Sequence, residues 1–199
     1  MNREKWRDCK ACPLHKTRRN VVLGRGAVPC DILFIGEAPG KVEDLHGEPF
    51  IGPSGKMLDF MMEAAAQCSG VPAPSYYITN TCACRPTDSL SGPNLKPTPE
   101  QLAACHERLV EEITAASPKR VVLVGKVAQK TCGKQVKGAH KMHHPAFLLR
   151  TGGAKSPYYL REMRNLSIVF EEVYHGKAQA KSIKRKKRRL RSQGRRRDE

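Results

Sequence analysis

Cys9 and Cys12 form a C-x2-C pair, the spacing at which one turn of chain offers two thiolates to a single metal centre. Cys30, Cys68, Cys82, Cys84, Cys105 and Cys132 bring the total to eight cysteines. A thiolate set suits zinc or an iron–sulfur cluster, and donor chemistry alone leaves both open. A disulfide framework is not expected, because a 199-residue chain does not need one to fold. His140, His143 and His144, with His106, invite a second metal reading. Pro145 argues against a helix presenting those rings together, and no carboxylate pattern accompanies them. Two polar side chains, Glu37 and Asn80, sit where short apolar runs end and so could meet a ligand.

The elements that must position these residues are legible as runs and periods. Ile32-Leu33-Phe34-Ile35-Gly36 and Val121-Val122-Leu123-Val124-Gly125 are continuous apolar runs, the pattern of strands buried on both faces. Tyr76-Tyr77-Ile78-Thr79-Asn80 has the β-branched and aromatic composition of a third strand. Helical spacing of Met57, Leu58, Met61 and Met62 predicts a helix near 53–67. Thr98-Pro99-Glu100-Gln101 predicts a capping box opening a helix that runs to about 116. A last helix is predicted from Ser156-Pro157 to near Gly176, with Leu160, Met163, Leu166 and Phe170 inward. The alternation implies an α/β protein: a three-layer α/β/α sandwich around a parallel, roughly four-stranded sheet. Ligands of such sheets sit beyond the carboxyl ends of the strands, where Glu37 and Asn80 lie. Pro86–Pro99 reads as a long surface loop.

Charge divides the chain into two materials. The net charge is +17, of which residues 177–199 carry +10 and residues 1–176 carry +7. The expected organisation is one domain over 1–176 and a disordered basic tail over 177–199, too poor in apolar residues to offset its ordering entropy. The field favours a polyanion, nucleic acid or an anionic membrane surface. No apolar run approaches a membrane span and the N-terminus lacks a secretory h-region, which predicts a soluble, cytoplasmic protein, nuclear only in a eukaryote.

Four motifs stand in order: Cys9-Lys10-Ala11-Cys12-Pro13-Leu14; Gly36-Glu37-Ala38-Pro39-Gly40-Lys41-Val42-Glu43-Asp44 with Gly47-Glu48-Pro49-Phe50-Ile51-Gly52; Tyr77-Ile78-Thr79-Asn80 with Cys84-Arg85-Pro86; and His144-Pro145-Ala146-Phe147-Leu148-Leu149-Arg150. Together they resemble the family 4, iron–sulfur uracil-DNA glycosylases over roughly residues 9–150. The resemblance implies excision of uracil from DNA to leave an abasic site, in base excision repair. It also implies a [4Fe–4S] cluster held by Cys9, Cys12, Cys84 and Cys105. Cys82 is then expected to face the other way if its strand continues, and Cys30, Cys68 and Cys132 to be small buried apolar residues.

Breaking an N-glycosidic bond in DNA requires a flipped base, a pocket, and stabilisation of an anionic leaving base and a cationic sugar. At the matching positions the resemblance makes Glu37 and His144 catalytic and places Gly36, Ala38, Gly40, Glu43, Phe50 and Asn80 on the substrate. Phe50 would stack on uracil, and Asn80 would read its donor and acceptor edge with one amide. His144 would donate to the base oxygen as a neutral or charged ring. Glu37 would orient water or stabilise the sugar cation, and Glu43 would face C5 and reject the thymine methyl. Lys137, Lys141, Arg150 and the basic tail would contact phosphates, and Leu148 or Leu149 would fill the space left by the flipped base. A monomer is expected, with no lysine nucleophile.

This chain departs from the family in a short 125–140 link, in His143 where Tyr is expected, and in a long Cys84–Cys105 loop. A shortened link implies a reduced pocket wall. The alternative reading is therefore a catalytically weak DNA- or uracil-binding member, and a third class is an RNA-binding or packaging module on the same fold. Thr87–Pro99 contains no His, which disfavours covalent trapping of the product.

Overall fold

A computed structural model describes residues 3–176, so the basic stretch 177–199 lies outside the described residues. In chain order the elements begin with α1 (Arg3–Arg7), β1 (Arg25–Gly26), β2 (Ile32–Gly36), α2 (Lys41–His46), α3 (Pro53–Ser69) and β3 (Tyr76–Asn80). There follow α4 (Pro99–Ala104), α5 (His106–Ala116), β4 (Arg120–Val124), α6 (Lys126–Cys132), β5 (His140–Met142), α7 (Pro145–Arg150) and α8 (159–176).

The strands form one sheet in the order β1-β3-β2-β4-β5. Four of them are parallel, as expected; β1 adds an antiparallel edge to β3. Burial on both faces explains the continuous apolar runs. Ile32 and Phe34 point into a core shared with α3, α7 and α8, whereas Leu33 and Ile35 point into a second core with α5 and α6. The β2–β3 register sets Gly36 opposite Asn80, so both strands deliver their last residues to the same level.

Thr98 caps α4 as predicted: its hydroxyl accepts from Gln101 N and the Gln101 side chain accepts from Thr98 N. The expected single helix is broken at Cys105, however, into α4 and α5. The last helix starts three residues later than its Ser156 signal; Met163, Leu166 and Phe170 face the core as predicted. Tyr159 is buried, and Leu160 is 54% exposed rather than inward. Cys30 and Cys132 pack in the second core as expected, but Cys68, in the last turn of α3, is exposed. The short link that follows Gly125 carries helix α6 and leads into strand β5, two elements with no period long enough to show in the sequence. No helix among the described residues is long and apolar enough to cross a membrane.

Candidate functional site

At the carboxyl ends of β2 and β3 lies a cavity of about 490 Å³. Glu37, Ala38, Gly40, Glu43, Phe50, Asn80 and His144 all line it, so the fold gathers seven of the eight expected pocket residues. Gly36, the eighth, lies behind the wall. A Cβ there would stand 2.5 Å from both Asn80 Oδ1 and Phe50 Cζ, so the position must stay bare for those two side chains to meet.

Each functional side chain is held by a local device. Phe50 is 5% exposed and adopts a left-handed backbone, φ 56°, which a bulky residue reaches only under constraint. Arg25 supplies that constraint: its Nε donates to Pro49 O at 2.9 Å and its Nη2 to Phe50 O at 3.3 Å. Asn80 is 2% exposed, and its Oδ1 is buried without a hydrogen-bond partner. Its backbone is fixed from behind by Arg108, whose Nη2 donates to Asn80 O at 2.8 Å and to Thr81 O at 2.9 Å. Arg108 in turn pairs with Glu112 at 2.7 Å, both fully buried; Glu112 also accepts from Thr79, and from Gly24 N at 2.8 Å. The sequence reading missed this pair, because charges spaced i and i+4 on a helix usually mark a solvated face.

His144 caps α7, its Nδ1 accepting from Ala146 N at 3.1 Å. The proton of the neutral ring therefore sits on Nε2. Burial, reinforced by the Arg150 charge and opposed by Glu43, pulls the His144 pKa down to about 4, so the ring is neutral near pH 7. Of the two protonation states left open by sequence, the structure selects the neutral one. Gly125, at φ +86°, leaves room for this ring, since a Cβ would lie 3.0 Å from His144 Cβ. Phe50 and His144 stack at 6.1 Å. The other rings go elsewhere: His140 meets Glu172 and His143 meets Glu162, so the histidines do not converge.

Glu37 is partly buried, and burial pushes its carboxyl above the usual range while Lys96 pulls it back. Glu43 uses both oxygens on backbone, accepting from Gly40 N at 3.1 Å and Gly52 N at 2.8 Å. It is a clamp between the two loops that frame the cavity.

Sequence reasoning also missed a wall. Asn94, Leu95 and Lys96 line the cavity, carried there by the Pro86–Pro99 loop. Arg85, 1% exposed, gathers that loop: its Nε donates to Asn94 Oδ1 at 2.6 Å, its Nη1 to Leu90 O at 3.2 Å, and its Nη2 to Gly92 O. An arginine followed by Pro-Thr and a Gly/Ser/Pro stretch was the available signal. No residue of 126–143 lines the cavity, in keeping with a shortened link. Leu148 is fully buried in the core and so is not a wedge.

The cysteines collect on the neighbouring side of Ala38. Cys82, Cys84 and Cys105 share a buried cluster against which Cys12 and Ala38 pack. Burial first, then the charges of Cys105 and Cys9, push the Cys12 thiol up, and burial with the charges of Cys105 and Cys12 does the same to Cys84. Arg18 donates to Cys84 Sγ at 3.4 Å and to Cys9 O at 2.6 Å. Among the described residues no three potential ligands already stand in a metal-holding arrangement. Clustered soft donors beside arginine nonetheless fit a buried anionic metal–thiolate centre. Cys82 departs from expectation. The strand ends at Asn80, and the Cys82 thiol turns to Cys105 rather than away from it.

The sequence model described as the Uracil DNA glycosylase superfamily matches residues 23–166. The chain belongs to that superfamily. Among the similar proteins are three named Type-4 uracil-DNA glycosylase. The one from Archaeoglobus fulgidus is 42% identical over 120 residues, 60% of this chain and 56% of that protein. The one from Thermotoga maritima is 34% identical over 192 residues, 88% of this chain and 91% of that protein. The one from Pyrobaculum aerophilum is 36% identical over 124 residues, 62% and 59% of the two chains. The match thus spans little more than half of two of these glycosylases and nine-tenths of the third. Within the uracil-DNA glycosylase superfamily this chain aligns with the type-4 members, and the matched residues include the whole cavity wall.

Proposed function

We propose that the protein hydrolyses the N-glycosidic bond of uracil in DNA, leaving an abasic site. The observation that carries this reading is the unmet acceptor at the cavity wall, Asn80 Oδ1, buried beside Phe50 and His144. A buried acceptor without a partner costs free energy until a donor arrives. The imide N–H of uracil is such a donor, while the Asn80 amide N–H2 meets the neighbouring carbonyl; cytosine presents the reverse pattern there. Phe50 provides an apolar surface for the base. The neutral His144 Nε2–H donates to the oxygen on which charge collects as the base departs. Glu37 stabilises the cationic sugar or orients the attacking water. Glu43 holds the loops around C5 and so shapes exclusion of a methyl group. Lys41, Lys96 and Arg150 on the wall, with the basic stretch 177–199, supply contacts to phosphates.

The test is incubation with a uracil-containing oligonucleotide followed by alkali. Strand scission only after alkali is expected. Binding without an abasic product would demote the protein to a uracil reader, and scission before alkali would make a rim lysine a nucleophile. Asn80→Ala should reduce uracil release far more than DNA affinity and should weaken discrimination against cytosine.

Cys9, Cys12, Cys84 and Cys105 would hold a [4Fe–4S] cluster, whose part here is to tie the N-terminus to the end of β3 and the start of α5. Cys84→Ala should lose iron and the broad visible absorbance of anaerobically purified protein; Cys30→Ala and Cys132→Ala should keep both. Because Cys82 shares the cluster, Cys82→Ala is the decisive comparison: iron lost there and kept in Cys84→Ala would move the ligand by two residues.

A further inference from the structure

Filling the gap left by an extruded nucleotide requires an apolar side chain that is exposed, at the pocket mouth, and held still. Of the two leucines that follow His144-Pro145, Leu148 is fully buried and Leu149, 39% exposed, is not part of the cavity wall. Leu95 meets all three conditions. It is 48% exposed and lines the cavity. Its backbone N donates to Pro86 O at 2.8 Å, and the residue before it, Asn94, is gripped by buried Arg85. An aliphatic side chain fixed in water by its backbone gains free energy only when a partner covers it. Lys96 follows directly, so the same loop offers a cation to the phosphates beside the point of entry. Val42 is the other exposed aliphatic side chain on the wall, 42% exposed, but it is one carbon shorter and sits on α2.

We propose that Leu95, presented by the Arg85-pinned loop, enters the DNA stack behind the flipped nucleotide. The inference rests on the functional reading above and deepens it, by making the Cys84–Cys105 loop a reader of duplex DNA. Single strands have no partner base and no continuous stack to fill, so they separate this role from a general one in the pocket.

The experiment measures single-turnover uracil release from a duplex and from the same sequence as a single strand, with 2-aminopurine next to uracil reporting unstacking. The full chain is compared with Leu95→Ala, Leu95→Met, Leu149→Ala and Val42→Ala. Leu95→Ala should slow duplex release about tenfold or more and diminish the fluorescence rise, while single-strand release stays within about twofold. Leu95→Met, similar in length and apolar, should restore most of the duplex rate. Equal losses on both substrates, no loss on either, or a duplex-specific loss in Leu149→Ala or Val42→Ala but not in Leu95→Ala would overturn the proposal. Failure of the functional reading has a separate signature, no uracil release by the unaltered chain from either substrate, and would remove the proposal with it.

Discussion

His144→Ala will lower the single-turnover rate of uracil release by about 10²–10³-fold, the range for loss of one donor to a developing oxyanion, with DNA affinity nearly unchanged. The ring is fixed at one nitrogen by Ala146 N–H, so the other can only donate. A neutral donor is well matched to an anion that appears only in the transition state, since it does not over-bind the uncharged base beforehand. The acid limb of the rate profile follows. Above neutrality the ring and Glu37 are in their working forms. As pH falls, Glu37 takes up a proton above the usual carboxylate range, and His144 follows near 4. Stability has the same sign. The unfolded histidine protonates near 6.5 and the folded one near 4, so the unfolded state binds more protons between those values and stability falls as pH drops through that window. Denaturation midpoints at pH 7 and pH 5 should differ less in His144→Ala than in the unaltered chain; an equal difference would remove His144 as a source of the pH dependence.

Arg108→Ala should destabilise the fold by about 3–5 kcal/mol, the cost of leaving one member of a buried ion pair alone. Glu112 would then be left with only the neutral donors from Thr79, Tyr77 and Gly24 around it. The Asn80 and Thr81 carbonyls would also lose their donor. Urea unfolding reads the first effect. The second should appear as a slower release rate even at concentrations where the variant is folded. Arg108→Met with Glu112→Leu should recover part of the stability, because two apolar side chains leave no orphan charge, but not the rate. A fully restored rate would mean that Asn80 needs no support from behind.

Much of this arrangement was visible before any coordinates. Continuous runs at Ile32–Gly36 and near Val121–Gly125 read as doubly buried strands, and Thr98-Pro99-Glu100-Gln101 as a helix cap. The pocket residues were legible through the family resemblance of the motifs that hold them; from position alone only Glu37 and Asn80 stood out, at the ends of strands. What escaped was set by tertiary contacts. Strand β1 has two residues and β5 three, too short to carry a period. Arg108 and Glu112 look solvated until Thr79, Asn80 and Thr81 are brought beside them. Leu95 lies in a stretch whose composition says loop, and only the reach of Arg85 decides where that loop goes. Cys82 was misjudged because extrapolating a strand past Asn80 reversed its side chain.

The N-terminal segment is fastened late in sequence terms. Lys5 and Trp6 bond to Glu111 across separations of 106 and 105 residues, and Lys5 also reaches Glu107. During synthesis, Cys9 and Cys12 therefore leave the ribosome more than ninety residues before Cys105 and the helix that receives them. Closing so long a loop must wait until α5 is made. For that interval the first two thiols are in solution, open to oxidation or to an early metal ion. Gathering of Cys9 and Cys12 beside Cys84 and Cys105 is thus a late event in the life of the nascent chain, and an expression host's reducing capacity should govern how much of the protein matures correctly.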